Sequence, residues 1–269
     1  MFVSIIITVR NEGYHISDLL DSLVVQEQPF EIIVIDAGST DDTVSILERY
    51  KKEYKFIKIY HHGGTRGACR NFGAEQANGD VLAFIDGDCI ANPFWLREIR
   101  KGFEKSDIVA GKTIHIGYRA FVELDRVELH SRGTDVTYPS CNLAYKKDLF
   151  HMLEGFDPTF RTAEDIDINY RAVTAGNKLE YNKNAIVYHR ARSTFIGFLK
   201  QALWNGYGRK QLTLKHGSLW SNYSLEKMFK GRVTFFYLVR LAFALLGYFI
   251  AALIVKNNKP SPRGIVKLK

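Results

Sequence analysis

The stretch VLAFIDGDCIANPFWL ends its apolar run on Asp86-Gly87-Asp88, two carboxylates one residue apart on a turn. Carboxylates so placed can both face a divalent ion, whose preference for oxygen ligands also admits diphosphate oxygens. The same residues are equally an Asp-Gly turn closing a strand, and the pattern alone does not choose. Two other apolar runs end on polar groups: FVSIIITV runs into Arg10, Asn11 and Glu12, and EIIVID ends on Asp36, followed by Gly38, Ser39, Thr40, Asp41 and Asp42. Asp36 is placed to accept hydrogen bonds from a base or ribose, and Gly38 permits close backbone approach. Ser39 or Asp41 would serve as well to cap a following helix.

Such side chains need a scaffold that delivers strand ends to one place. From residue 2 to about 111, short β-branched runs alternate with helical segments. In order they are FVSIIIT, a helix near His15 to Gln26, EIIVID, a helix from Asp41 to Tyr50, and KFIKIY. A glycine-rich loop at His61 to Gly67 follows, then a helix through Arg70 to Ala77, VLAFID, a helix starting at Pro93, and DIVAG. The alternation predicts an α/β fold of βαβ units, whose parallel sheet gathers ligands at the carboxyl ends of its strands. Residues 112 to 190 read as mixed: a helix at Ala120 to His130, a strand around CNLAYKK, a loop GFDPTF, a helix from Glu164 to Ala175, and strands near Lys178 and Ala185. This suits an acceptor-binding half added to a nucleotide-binding half.

A chain of 269 residues with 46% hydrophobic content can bury a substantial core, and nothing in it suggests disorder or a disulfide scaffold. Its three cysteines, Cys69, Cys89 and Cys141, have no CxxC spacing, which fits a reducing, cytoplasmic compartment. The opening MFVSIIITVRNEG reads as a strand and not as a signal peptide. The net charge of +8 suits anionic lipid or a phosphate-rich substrate, and no recognisable nucleic-acid motif accompanies it.

A helix is predicted from about Thr194 to Leu214, ending a catalytic stretch over 1–215. A basic linker over 216–232 leads to an apolar segment at 233–255, long enough to cross a bilayer, and a basic tail over 256–269. Arg240 counts against crossing unless it snorkels to the interface; the segment spans the membrane or lies on it. Lys227, Lys230 and Arg232 before it, and Lys256 and Lys259 after it, make both flanks basic, so charge does not set orientation.

Taken in order, TVRNE, VIDAGSTDDT, GGTRGACRNFGAEQANGD, FIDGDC, NLAYKK, GFDPTFRTAEDIDINYR and VYHR resemble the motif series of glycosyltransferase family 2, the inverting group with the GT-A fold. The resemblance runs from Val3 to about Arg209. It implies a nucleotide-sugar donor and a divalent cation, manganese or magnesium. It implies further that Asp36 contacts the base, that Val9, Asn11 and Glu12 help frame the nucleoside with Gly38, and that Arg66 and Arg70 lie over the nucleotide. Asp86 would stand beside the donor sugar or ribose. Asp88 would bind the metal directly, with His189 completing its shell or contacting the diphosphate.

Inverting transfer needs a base to take the proton of the acceptor hydroxyl. By the same resemblance Asp165 fills that role and Glu164 orients the acceptor or supports the loop; Asp167 is read as structural. The plainer reading of the three acids is a first helical turn suited to the helix dipole. QALWNGYGRKQ lacks the Arg-Trp pair of processive members, so addition of a single sugar is expected.

The reading that results is a metal-dependent transferase at the cytoplasmic face of a membrane, acting on a lipid-linked or membrane-proximal acceptor, with uridine the first choice of base and guanosine the second. A polyprenyl-phosphate sugar synthase differs only in the acceptor. Nucleotidyl transfer is disfavoured because TVRNEG stands where a glycine-rich phosphate loop belongs. A non-catalytic nucleotide-sugar- or glycan-binding module is the alternative of a different class.

Overall fold

The computed structural model describes residues 1–117, 127–190, 194–219, 222–223 and 234–255. Two compact units divide the chain. The first comprises Met1–Ile116, Tyr138–Pro158 and Asn177–Arg190; the second comprises Gly117–Thr137, Thr159–Gly176 and Ala191–Lys269. The stretch expected as one catalytic domain over 1–215 is thus shared between both.

The first unit is an α/β layer structure. Its strands β1 (Val3–Val9), β2 (Phe30–Asp36), β3 (Ile57–His61) and β4 (Val81–Asp86) pair in parallel, alternating with helices α1 (Ile16–Val24), α2 (Thr43–Glu53) and α3 (Arg66–Glu75). β1 and β2 are Ile- and Val-rich and lie buried along almost their whole length, as central strands covered on both faces must be. After β4 come the short strand β5 (Cys89–Ala91), helix α4 (Trp95–Gly102), β6 (Ile108–Ile116), β9 (Leu143–Lys146), helix α5 (Lys147–Met152) and β10 (Leu179–Arg190). The sheet runs β3-β2-β1-β4-β9-β6-β10-β5.

Several expectations need adjusting. The sheet is mixed: β9 is antiparallel to both β4 and β6, and β5 is antiparallel to β10. A three-residue strand such as β5 carries too little periodicity to register as one. The glycine-rich loop stops short of Gly67 and α3 begins at Arg66, because Thr65 caps it, Oγ1 accepting from Ala68 N at 3.3 Å. The two strands expected near Lys178 and Ala185 are one strand, β10, with a register shift against β6 between Asn182 and Ile186.

Asn142 holds that shift. Its Nδ2 donates to Lys112 O at 3.1 Å and Ala185 O at 2.9 Å, while its Oδ1 accepts from Trp95 Nε1 at 2.8 Å. A buried polar side chain is stable only when so partnered.

The second unit contains β7 (His130–Ser131), β8 (Thr134–Asp135), α6 (Glu164–Thr174), α7 (Phe195–His216) and α8 (Phe235–Val255). Most of the expected helix at Ala120 to His130 lies outside the described residues, and its last residue is in β7. Most of the linker over 216–232 and all of the tail over 256–269 also lie outside them.

Asp167 ties α6 to the end of α7. Its buried carboxylate meets Arg171 Nε at 2.9 Å, Lys215 Nζ at 2.9 Å and His216 Nε2 at 2.8 Å. Burial works against its charge, yet His216, Arg171 and Lys215 together hold the carboxyl well below the usual carboxylate range.

Candidate active site

In the first unit the polar residues after the parallel strands gather into one hydrogen-bonded rim. Asn11, at the end of β1, adopts a left-handed backbone with φ 57°, which asparagine tolerates better than most residues. Its N donates to Ser39 Oγ at 2.9 Å, and its Oδ1 accepts from Thr40 N at 2.8 Å. Glu12 N donates to Thr43 Oγ1 at 2.8 Å, and Asp41 Oδ2 accepts from Gly13 N at 3.0 Å. The β1 and β2 loops are thus stitched together by their own motif residues. Val9 O is engaged by Ala37 N at 2.9 Å.

Asp36 lies beneath this rim, 2% exposed. Its carboxylate accepts from Gly38 N at 3.2 Å and Ser39 N at 3.1 Å, and meets His61 Nδ1 at 3.2 Å. Burial opposes its charge, and the bonds from Ser39, His61 and Gly38 outweigh burial, keeping the carboxyl below its usual range. Gly38, at φ 86°, makes the turn that aims these amides.

Asp86 closes β4 and is clamped by Arg70, whose Nη2 stands 2.6 Å from Oδ1. Arg70 is 1% exposed and lies over the Phe156 ring at 5.6 Å. Arg66, one helical turn earlier, is exposed. Burial opposes the charge of Asp86, and the charges of Arg70, Arg66 and His189 reverse that, holding it below the carboxylate range.

Three residues beyond Asp86, β5 begins antiparallel to β10 with Cys89 opposite His189, which sets Asp88 beside the imidazole. His189 Nε2 is 3.4 Å from Asp88 Oδ1. Cys89 Sγ lies near the same oxygen at 3.9 Å, and a contact with the Cys141 thiol followed by burial pushes the Cys89 pKa up, so it stays a neutral thiol.

On its other side, His189 Nδ1 is 3.1 Å from His115 Nδ1. Burial works against charge on His189, but Asp88 outweighs it and the pKa rises to about 9. Burial and the charge of His189 push His115 down. His189 is therefore the donor to both neighbours. His15 completes the surroundings: its Nδ1 is buried with no partner among the described residues, and burial, then Arg190, lowers its pKa.

Asp88 and His189 suit a divalent ion. Two ligand atoms side by side on an ion with bonds of about 2.1 Å stand roughly 3 Å apart, close to the separation seen here. His115 would keep the proton on Nδ1 and leave Nε2 to the metal.

The acidic motif belongs to the second unit. Ala163 precedes it in a left-handed conformation, φ 64°, rare for a residue with a Cβ. Glu164 is buried at 2%, whereas Asp165 is half-buried and its Oδ1 accepts from Ile166 N at 2.8 Å. The N-terminal turn of α6 favours the charge of both. Trp204 lies under the Arg161 guanidinium at 4.9 Å.

Asn142, His115 and His15 went unassigned in the sequence. Asn142 opens the NLAYKK motif and so carried a signal; the two histidines carried none, because only strand register brings His115 to His189.

The family model described as glycosyl transferase family 2 matches residues 4–156. Glycosyltransferase AglE of Haloferax volcanii is 30% identical over 227 residues, covering 78% of this chain and 74% of that protein. Among solved structures, TarS 1–349 of S. aureus in complex with UDP-GlcNAc has a TM-score of 0.61 at 19% identity, covering 93% of this chain and 81% of that one. Mannosyltransferase PcManGT of Pyrobaculum calidifontis, in complex with GDP-Man and Mn2+, has a TM-score of 0.63 at 16% identity, covering 97% and 76%. The order and spacing of the motifs, the GT-A-like sheet and these matches agree: the chain belongs to glycosyltransferase family 2 and is a glycosyltransferase.

Proposed function

We propose that the chain transfers a single sugar, with inversion, from a nucleoside-diphosphate sugar to a lipid-linked or membrane-proximal acceptor at the cytoplasmic face of a membrane. The observation that carries the reading is the pairing of Asp88 with His189 at 3.4 Å, at the carboxyl ends of strands whose other loops are bound into one rim. In this reading Asp36, Gly38, Val9, Asn11 and Glu12 frame the nucleoside, with uridine preferred to guanosine. Arg66 meets the phosphates. Asp86, fixed by Arg70, meets the ribose or donor sugar.

Asp88 and His189 hold manganese or magnesium, which when bound neutralises charge on the departing diphosphate. Asp165 takes the proton from the acceptor hydroxyl as that oxygen attacks the anomeric carbon from the face opposite the diphosphate. Glu164, buried at the head of α6, supports the loop. The TarS and PcManGT complexes support a nucleotide-sugar donor, and PcManGT supports a metal. The exposed apolar side of α8 supports a membrane-proximal acceptor.

The test is donor turnover by detergent-solubilised protein with Mn2+ or Mg2+, a panel of UDP- and GDP-sugars, and two acceptor sources: lipid phosphate and lipid-linked saccharide. Metal-dependent product from one donor, lost in Asp88→Ala and Asp165→Ala, is the expected result. Absence of donor binding and turnover throughout the panel, with both variants indistinguishable from the parent, overturns it.

A further inference from the structure

Helix α8 is long and apolar enough to cross a bilayer: Phe235–Ile254 has a mean hydropathy of 2.1 and only 11% of that window is buried. Its neighbours argue against crossing. α7 runs beside it in the same direction, with Phe198 near Phe236 at 6.3 Å between ring centroids and Lys210 Nζ over the Tyr248 ring at 4.9 Å. Between those contacts the backbones nearly touch, since a Cβ on Gly206 would overlap Ala244 O.

Two residues further along α7, Gly208 packs on the loop that leads into the acidic motif. A Cβ there would stand 2.9 Å from Thr162 O and 3.0 Å from Ala163 Cβ. The middle of α8 is therefore tied, through one helix, to the backbone just before Glu164 and Asp165. Were α8 to span the membrane, Ala244 would lie near the bilayer centre. Lys210, about 6 Å along α7 from Gly206 at 1.5 Å per residue, and the Thr162–Asp165 loop would then be drawn to hydrocarbon depth. Irregular backbone and carboxylates are not stable there.

The outward face of α8 fits a different placement. Phe235, Leu238, Ala242, Leu245, Phe249 and Leu253 are exposed at helical spacing and form one stripe without charge. Arg240, five residues past Phe235, falls on the opposite side. In sequence, Lys227, Lys230 and Arg232 precede the helix and Lys256, Lys259, Arg263, Lys267 and Lys269 follow it, cations at both ends that suit anionic headgroups.

We infer that α8 lies along an anionic lipid surface, its stripe seated at the headgroup–acyl boundary of one leaflet along its whole length. This deepens the membrane reading above and rests on it. The acidic motif then stands beside the lipid surface, where the hydroxyl of a lipid-linked acceptor emerges.

The three native cysteines are buried, so single cysteines introduced as Leu238→Cys, Leu245→Cys and Leu253→Cys can be labelled selectively with a polarity-sensitive fluorophore, with Lys51→Cys as the water reference. Sealed phosphatidylglycerol–phosphatidylcholine vesicles carry nitroxides at shallow or deep acyl positions. The inference expects all three α8 labels to be quenched alike, more by the shallow nitroxide, and all to remain reducible by external dithionite. Deep quenching confined to Leu245→Cys, with one end protected from dithionite, overturns the flat placement and leaves membrane association standing. Absence of vesicle binding overturns both. Self-association that buries the stripe, seen as a concentration-dependent mass, also overturns it in favour of a second copy of the chain.

Discussion

Arg70 and Asp86 meet at 2.6 Å, a fully buried guanidinium holding a carboxylate at the mouth of the candidate site. Removing either partner takes this contact from a buried charge. Arg70→Met is expected to cost about 3 kcal/mol in chemical denaturation, the scale for breaking a buried pair. Asp86→Asn together with Arg70→Met recovers part of the loss. A double variant whose loss equals the sum of the two single losses would show that the pair does not act as one.

His115 touches His189 on the side away from Asp88. His115→Ala is expected to weaken Mn2+ binding by about 10- to 100-fold, as loss of a partner to a metal-binding histidine does. Asp88→Asn and His189→Ala lower it further. Calorimetric titration of Mn2+ on the free protein reads this without turnover, and unchanged affinity in His115→Ala would remove its positioning role.

Asp165→Asn keeps the shape of the α6 turn and removes the proposed base. Transfer should fall by about 10²- to 10⁴-fold, the usual contribution of a positioned base. Binding of the nucleotide-sugar should stay within a few-fold of the parent. A variant that turns over normally would release Asp165 from that role and leave the plainer reading, an acid suited to the helix dipole.

Asp167 predicts acid sensitivity. Its carboxyl titrates below the ordinary value near 3.9, so its contribution to stability is complete above that value and is lost as pH falls toward the depressed folded one. Melting curves should therefore drop on acidification below about pH 5 in the parent and be flatter in Asp167→Asn. At neutral pH that variant should itself be less stable by about 3–5 kcal/mol, because Arg171 and Lys215 lose the charge of the Asp167 carboxylate. Parallel pH profiles would show that the cluster carries no linkage.

The parallel strands β1 to β4 and the helices α1, α6, α7 and α8 were legible in the sequence, because each is a local run whose periodicity or apolar content declares it. Asp36, Asp86 and Asp88 were legible for the same reason, since each ends such a run. What escaped depends on pairing between distant segments. β5 is too short to signal itself, and the antiparallel insertion of β9 between β4 and β6 leaves no trace in local pattern. The resemblance placed Arg70 over the nucleotide, and nothing local marked its burial; with α3 starting at Arg66, its fifth residue faces inward to Asp86. His115 sits on a strand that reads DIVAG and then continues past its apolar portion, so nothing local marks where its side chain goes.

The register shift held by Asn142 stores the identity of a candidate ion ligand as a count of residues. Asn182 stands opposite Gly111 and Ile186 opposite Lys112, so Lys183, Asn184 and Ala185 are the surplus on one side. Paired without that surplus, the strands would set Ile186 opposite His115, and an aliphatic side chain would occupy the place of the imidazole. The chemistry at Asp88 is in this sense a matter of arithmetic along β10: insertions or deletions between residues 183 and 185 reach the site as directly as a change at His189 itself, while leaving every one of its named side chains in the chain.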